Sequence, residues 1–186
     1  MISKQKIPNY LTYLRIVAIA PICVLMTMPN DWAIYTALFL YVLAALTDYL
    51  DGYLARLWNV KSDIGRFLDP IADKLLIAAV IIILVANVTI TGFMLICPIL
   101  ILIRELFISG LREYMGPKNV VVHVTRTAKW KTAMQLIACG VLMLDPVAGI
   151  LVDMLGQFLL FVATILTVKS GYEYWQAMAP HMKEEA

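Results

Sequence analysis

Cysteine chemistry is nearly absent from this chain. Its three cysteines, Cys23, Cys97 and Cys139, all fall inside apolar stretches, and there is no Cys-x-x-Cys and no Cys/His cluster. That excludes a thiolate metal centre and leaves the three as small buried hydrophobes. His123 stands in a Val-rich segment without a partner His or Cys, so it is not expected to ligate a metal. Internal repeats and low-complexity segments are missing too. The first apolar stretch has no small-residue cleavage site and is followed by further such stretches, so no cleavable signal peptide is expected. Lysine and arginine are absent from the turns near Asp31, Asn87 and Asp145.

Apolar residues are what the chain has in abundance. Of its 186 residues 62% are hydrophobic, against about 45–50% in soluble domains, and the mean hydropathy is +0.83. Six apolar runs, 10–29, 33–57, 67–88, 92–114, 128–145 and 148–169, approach the roughly 20 residues that span a bilayer as helix. Turn formers separate them: Pro29-Asn30-Asp31, Lys61-Ser62-Asp63, Asn87 to Gly92, Gly116-Pro117 and Asp145-Pro146. The pattern predicts one domain over residues 1–186, an all-α bundle of six transmembrane helices. Basic residues cluster before the first run (Lys4, Lys6, Arg15), around the second turn (Arg56, Lys61, Arg66, Lys74), around the fourth (Arg112, Lys118, Arg126, Lys129, Lys131) and after the sixth run (Lys169, Lys183). By the positive-inside rule both termini and the loops after spans two and four are cytoplasmic.

Against this apolar background one segment is conspicuously acidic. Asp48 and Asp51 end the second run, and Asp69 and Asp73 open the third. Carboxylates at the margin of a hydrocarbon span are costly and need a reason. At 100° per residue Asp48, Asp51, Gly52 and Ala55 share one helix face. Asp69 and Asp73 lie one turn apart, and a short turn around Ser62 to Gly65 lets the two acidic faces meet. Four carboxylates at one depth repel one another unless cations bind among them. Such hard oxygen ligands suit Mg²⁺, Mn²⁺ or Ca²⁺ rather than Zn²⁺. Gly52, Ala55 and Gly65 leave room beside the metal, and Arg56 and Arg66 stand where they can neutralise phosphate oxygens. The alternative is an interfacial ion network, with the carboxylates paired to Arg56, Lys61, Arg66 and Lys74.

The spacing D-x2-D-G-x2-A-R-x8-G-x3-D-x3-D is filled at every fixed position by Asp48, Asp51, Gly52, Ala55, Arg56, Gly65, Asp69 and Asp73. It resembles the signature of the CDP-alcohol phosphotransferases, and length and six-helix layout extend the resemblance along the whole chain. Two further segments are most similar to the bacterial phosphatidylglycerophosphate synthase branch: Ile7 to Arg15, and Arg104 to Glu113 followed by Lys129-Trp130-Lys131-Thr132. One departure is Ala128, where that branch leads one to expect glycine.

The resemblance implies an enzyme that displaces CMP from CDP-diacylglycerol with sn-glycerol 3-phosphate, working as a homodimer in the bacterial inner membrane. It implies Mg²⁺ or Mn²⁺, as two ions, held by Asp48, Asp51, Asp69 and Asp73, with Asp73 also the general base. Gly52, Ala55, Arg56 and Gly65 would serve the CDP-lipid. An acceptor that carries a phosphate needs basic groups, for which Arg104, Arg112, Lys129 and Lys131 are candidates. Arg104 stands out because it lies about two helical turns, some 12 Å, above the end of its span. Glu105 is expected to pair with Arg112 on the same helix face. Asn9, Thr12 and Arg15 follow at i, i+3 and i+6 on an amphipathic, juxtamembrane start. The resemblance turns them toward a cavity open to the cytoplasm and sideways to lipid, Asn9 and Thr12 for the CDP-lipid and Arg15 for glycerol phosphate. Two other readings remain: the same chemistry on another acceptor (a cardiolipin, phosphatidylserine or phosphatidylinositol-phosphate synthase), and a divalent-cation transporter.

Overall fold

The computed structural model describes residues 7–57, 63–116 and 125–182, and their side chains except at 7–9, 48–57, 63–67, 69–70, 126 and 181–182. Lys4, Lys6, Lys61, Lys118, His123 and Lys183 therefore lie outside the described residues. All regular structure among the described residues is helical: α1 (Ile7–Met26), α2 (Asp31–Leu57), α3 (Asp63–Ala86), a 3₁₀ turn (Gly92–Leu95), α4 (Ile96–Met115), α5 (Arg126–Leu142), α6 (Asp145–Ala148) and α7 (Ile150–Met182). Seven α-helices thus stand among the described residues where six were expected: the six long ones overlap the six apolar runs, α7 continuing well past residue 169, and the four-residue α6 is an addition that hydropathy did not mark. Two segments, Gly92–Met115 and Ile150–Pro180, are long and apolar enough to cross a bilayer; Tyr10–Met26 and Asp31–Thr47 form shorter apolar helices.

Contacts divide the chain into two compact units, the first running to Thr89 and including Cys139–Asp153, the second comprising Ile90–Ala138 and the chain from Met154 on. In the first unit α1 packs on α2 and α3, and α2 touches α6. Ala33, Ala37, Tyr41 and Ala44 form a buried stripe on α2, and small residues of this kind let helices approach closely. The start of the chain differs from expectation. Helix α1 is continuous from Ile7 through Pro21 to Met26, so Asn9, Thr12 and Arg15 belong to one long helix and not to a separate interfacial segment.

Polar groups close the helix ends, where four carbonyls have no intrahelical donor. Asn87 Nδ2 donates to Met26 O at 2.8 Å, tying the end of α3 to the end of α1. Helix α3 itself stops in a Schellman arrangement, with Thr89 N donating to Leu84 O and Val88 N to Val85 O. Val88 takes the left-handed position at φ 64°, a conformation that strains a β-branched side chain. Between α6 and α7, Gly149 adopts φ 78° and ψ −179°, a region open in practice only to glycine. Burial, the nearby Asp153 carboxylate and, in the opposite sense, a Thr89 hydrogen bond act on Asp145, and the net effect holds its carboxyl above the usual range.

The second unit is organised around a buried amide. Gln135 Nε2 donates to Thr167 Oγ1 at 2.8 Å, and that hydroxyl donates to Ala163 O at 2.6 Å. Both side chains are fully buried, so the bond fixes the register of α5 against α7. Ile108, Leu111, Met115, Ala128, Tyr174 and Met178 form an apolar cluster beneath. Cys97 and Cys139 are buried as expected, whereas Cys23 is half-buried. Phe93, Leu106 and Phe158 are largely exposed, side chains suited to hydrocarbon.

Candidate active site

In the first unit the backbone places Asp48 and Asp51 in the last turns of α2, with Gly52, Ala55 and Arg56 following, and Gly65, Asp69 and Asp73 in the first turns of α3. Side chains of this motif other than Asp73 lie outside the described residues, as does that of Asn9. Asp73 is held from a direction that spacing alone did not reveal. Arg15 Nη1 donates to Asp73 Oδ1 at 2.9 Å, across 58 residues of sequence. The Arg15 side chain is wholly buried and that of Asp73 is 39% exposed, so the arginine is the fixed partner and the carboxylate the accessible one. Thr12, one turn earlier on α1, is buried as well. Arg15, which the resemblance assigned to the acceptor phosphate, is thus ion-paired with Asp73.

A buried cation at a half-exposed carboxylate acts mainly by position. Arg15→Ala is expected to lower kcat by about tenfold, the loss of one hydrogen bond between charged groups, with smaller changes in KM. Steady-state kinetics on purified protein checks this, and Arg15→Lys should recover part of the rate.

Among the described residues no three His, Cys, Asp or Glu side chains gather as metal ligands, and the motif carboxylates other than Asp73 lie outside them. As residue types the four motif carboxylates are an all-oxygen, anionic donor set, the kind Mg²⁺ or Mn²⁺ takes.

The second unit gathers the basic candidates. Thr125 caps α5 by accepting from Ala128 N at 3.2 Å, which fixes the start of the helix carrying Lys129 and Lys131. Lys131 turns inward, is buried, and pairs with Glu105 Oε1. Lys129, two residues earlier and therefore on another helix face, is exposed. Arg104 Nη1 also reaches Glu105 Oε1, at 3.2 Å. Glu105 thus serves Arg104 and Lys131, which corrects the expected pairing with Arg112. Residues i and i+7 are about 10.5 Å apart along an α-helix, and the Lys131 ammonium arriving from α5 takes the carboxylate instead. Arg112 is engaged elsewhere: its Nη2 donates to the Tyr174 hydroxyl, and its guanidinium lies 4.7 Å from that ring's centroid.

Arg104 retains unused capacity. Its Nε and Nη2 are buried and have no hydrogen-bond partner among the described residues, while its guanidinium lies 5.5 Å from the centroid of Tyr174. Orphaned donors on a buried charge are expensive. An anion bound there would satisfy both, and the fork geometry of a guanidinium matches phosphate. On the neighbouring turn of α7, Glu173 Oε1 accepts from Thr127 Oγ1 at 3.1 Å.

With both groups of residues located, the wider similarity can be stated. Residues 5–169 match the family profile described as CDP-alcohol phosphatidyltransferase. The chain belongs to that family. It is similar over nearly its whole length to curated bacterial proteins named CDP-diacylglycerol–glycerol-3-phosphate 3-phosphatidyltransferase. One from Cereibacter sphaeroides is 34% identical, covering 96% of this chain and 98% of its own. One from Rickettsia felis is 41% identical over 93% and 95%, and one from Shigella flexneri 36% over 92% and 93%. Two helices of membrane-crossing length and apolarity, in a family with such bacterial members, make this CDP-alcohol phosphatidyltransferase an integral membrane protein.

Sequence reasoning missed Tyr174, Glu173 and Gly171. The only signal was their placement after Lys169, where a break in apolarity hid the fact that α7 continues to Met182.

Proposed function

We propose that this protein transfers the phosphatidyl group of CDP-diacylglycerol to sn-glycerol 3-phosphate, giving phosphatidylglycerophosphate and CMP. The shared name of relatives matched over more than nine-tenths of the chain supports the reaction. The structural observation that carries the choice of acceptor is Arg104, a buried guanidinium with two unpartnered donors beside Lys131 and Arg112. A neutral acceptor alcohol would leave those donors orphaned; a phosphate-bearing one satisfies them.

Asp48, Asp51, Asp69 and Asp73 hold Mg²⁺ or Mn²⁺, as two ions. Bound there, the metal supplies charge neutralisation for the pyrophosphate and for the CMP that departs. Asp73, oriented by Arg15, accepts the proton of the primary hydroxyl of glycerol 3-phosphate. That oxygen forms a bond to the phosphorus bearing diacylglycerol, the bond from this phosphorus to the CMP oxygen breaks, and CMP leaves with the electron pair. Gly52 and Ala55 put no bulk between the helix backbone and the nucleotide, and Arg56 and Gly65 border it, with Asn9 and Thr12 on α1. Arg104, Arg112 and Lys131 receive the acceptor phosphate, and exposed Lys129 contributes to the surrounding positive field.

The single domain crosses the bacterial inner membrane six times, with both termini and the catalytic cavity on the cytoplasmic side, and works as a homodimer. The absence of Lys and Arg near Asp31, Asn87 and Asp145 supports this orientation. CDP-diacylglycerol must keep its tails in the bilayer, so the cavity opens sideways to lipid.

The test is release of CMP from CDP-diacylglycerol by the purified protein with labelled glycerol 3-phosphate. Turnover is expected to disappear on chelation and to return with Mg²⁺ or Mn²⁺. Competing glycerol 3-phosphate against serine, phosphatidylglycerol and inositol phosphate reads the acceptor directly, and preference for any of the latter would overturn the assignment. Metal flux in proteoliposomes without CMP release would mark a transporter.

A further inference from the structure

Around Arg104 and Arg112 the structure shows a device that neither the acidic motif nor the basic residues contain. Tyr174 is 1% exposed, yet it touches two charged side chains. Its ring lies 5.5 Å from the Arg104 guanidinium and 4.7 Å from that of Arg112, both within cation–π range. Its hydroxyl accepts the Arg112 Nη2 hydrogen bond. Two guanidinium groups repel each other, and holding both near one phosphate requires something between or beneath them that attracts each. A tyrosine face and hydroxyl do this without adding a negative charge that would compete with the phosphate.

Gly171, one helical turn before Tyr174 on the same face, completes the seat. A Cβ there would lie 3.0 Å from Arg104 Cγ and 3.5 Å from Arg104 Nε. A methyl group there would press on the Arg104 side chain, which would have to give way by a few tenths of an ångström.

We infer that Tyr174, seated with Gly171 on the last third of α7, is a positioning residue that fixes Arg104 and Arg112 as a two-pronged receptor for the acceptor phosphate. This rests on glycerol 3-phosphate being the acceptor.

Tyr174→Phe keeps the ring and its buried volume and removes only the hydroxyl. The purified variant is expected to show KM for glycerol 3-phosphate raised about tenfold, the effect of one hydrogen bond to a charged group, with KM for CDP-diacylglycerol unchanged. The calorimetric Kd for glycerol 3-phosphate, measured in detergent without divalent ion, should weaken by the same factor. Gly171→Ala, which displaces Arg104 instead, should act in the same direction. Equal rises in both KM values, or a change confined to yield and thermal stability, would overturn the positioning role. A wild-type protein that makes CMP with glycerol 3-phosphate while Tyr174→Phe is kinetically identical to it overturns this inference alone. A wild-type protein that does not use glycerol 3-phosphate removes the acceptor assignment, and this inference with it.

Discussion

Asp73→Asn is expected to lower kcat by about 10²- to 10⁴-fold, the range general-base catalysis supplies. The amide keeps the size and the hydrogen-bond acceptor that Arg15 uses at 2.9 Å, so the helix pair stays together while the basic lone pair is lost. KM for CDP-diacylglycerol should change little, because three carboxylates remain for the metal. Single-turnover release of CMP separates the two effects. A variant that binds the CDP-lipid and releases CMP at the wild-type rate would remove Asp73 as the base.

Arg104→Ala is expected to cut kcat/KM for glycerol 3-phosphate by about two orders of magnitude or more. Each hydrogen bond to a charged group contributes about 1.5–3 kcal/mol, Arg104 offers two such donors, and tenfold corresponds to about 1.4 kcal/mol. The loss should fall on the acceptor and spare the donor lipid. Arg104→Lys should recover only a fraction, since an ammonium supplies a point charge without the planar fork. Lys129→Ala provides the contrast: its side chain is exposed, and its removal should weaken glycerol 3-phosphate by a small, salt-sensitive factor. Equal losses from Arg104→Ala and Lys129→Ala would show a diffuse field in place of a built site.

The helices were legible because lipid imposes a simple demand. Every backbone group in hydrocarbon must be paired within its own segment, so long apolar runs read directly as helices, and the six long helices fall where those runs are. What hydropathy did not reveal is where polarity and helix coexist. Lys169 and Glu173 end the apolar run, but α7 continues because Ser170, Tyr174 and Met178 bury one face of the same helix. For the same reason α6 escaped notice, being one turn of helix around Asp145 and Pro146 with no apolar run of its own. The acidic motif was plain because its members are close in sequence. Partners distant in sequence were not, since no periodicity links Arg15 to Asp73 or Lys131 to Glu105. Choosing Lys131 over Lys129 as the inward residue likewise needed the phase of α5, which a two-residue separation leaves open.

The tether from Arg15 has a corollary for how far a signature defines an enzyme. Four acids and two glycines occupy a stretch one could excise and graft, yet the acid assigned to deprotonation is braced by a helix that such a graft omits. Under the proposed mechanism, competence would belong to a fold in which the opening helix has docked, and the motif would be only its most visible portion.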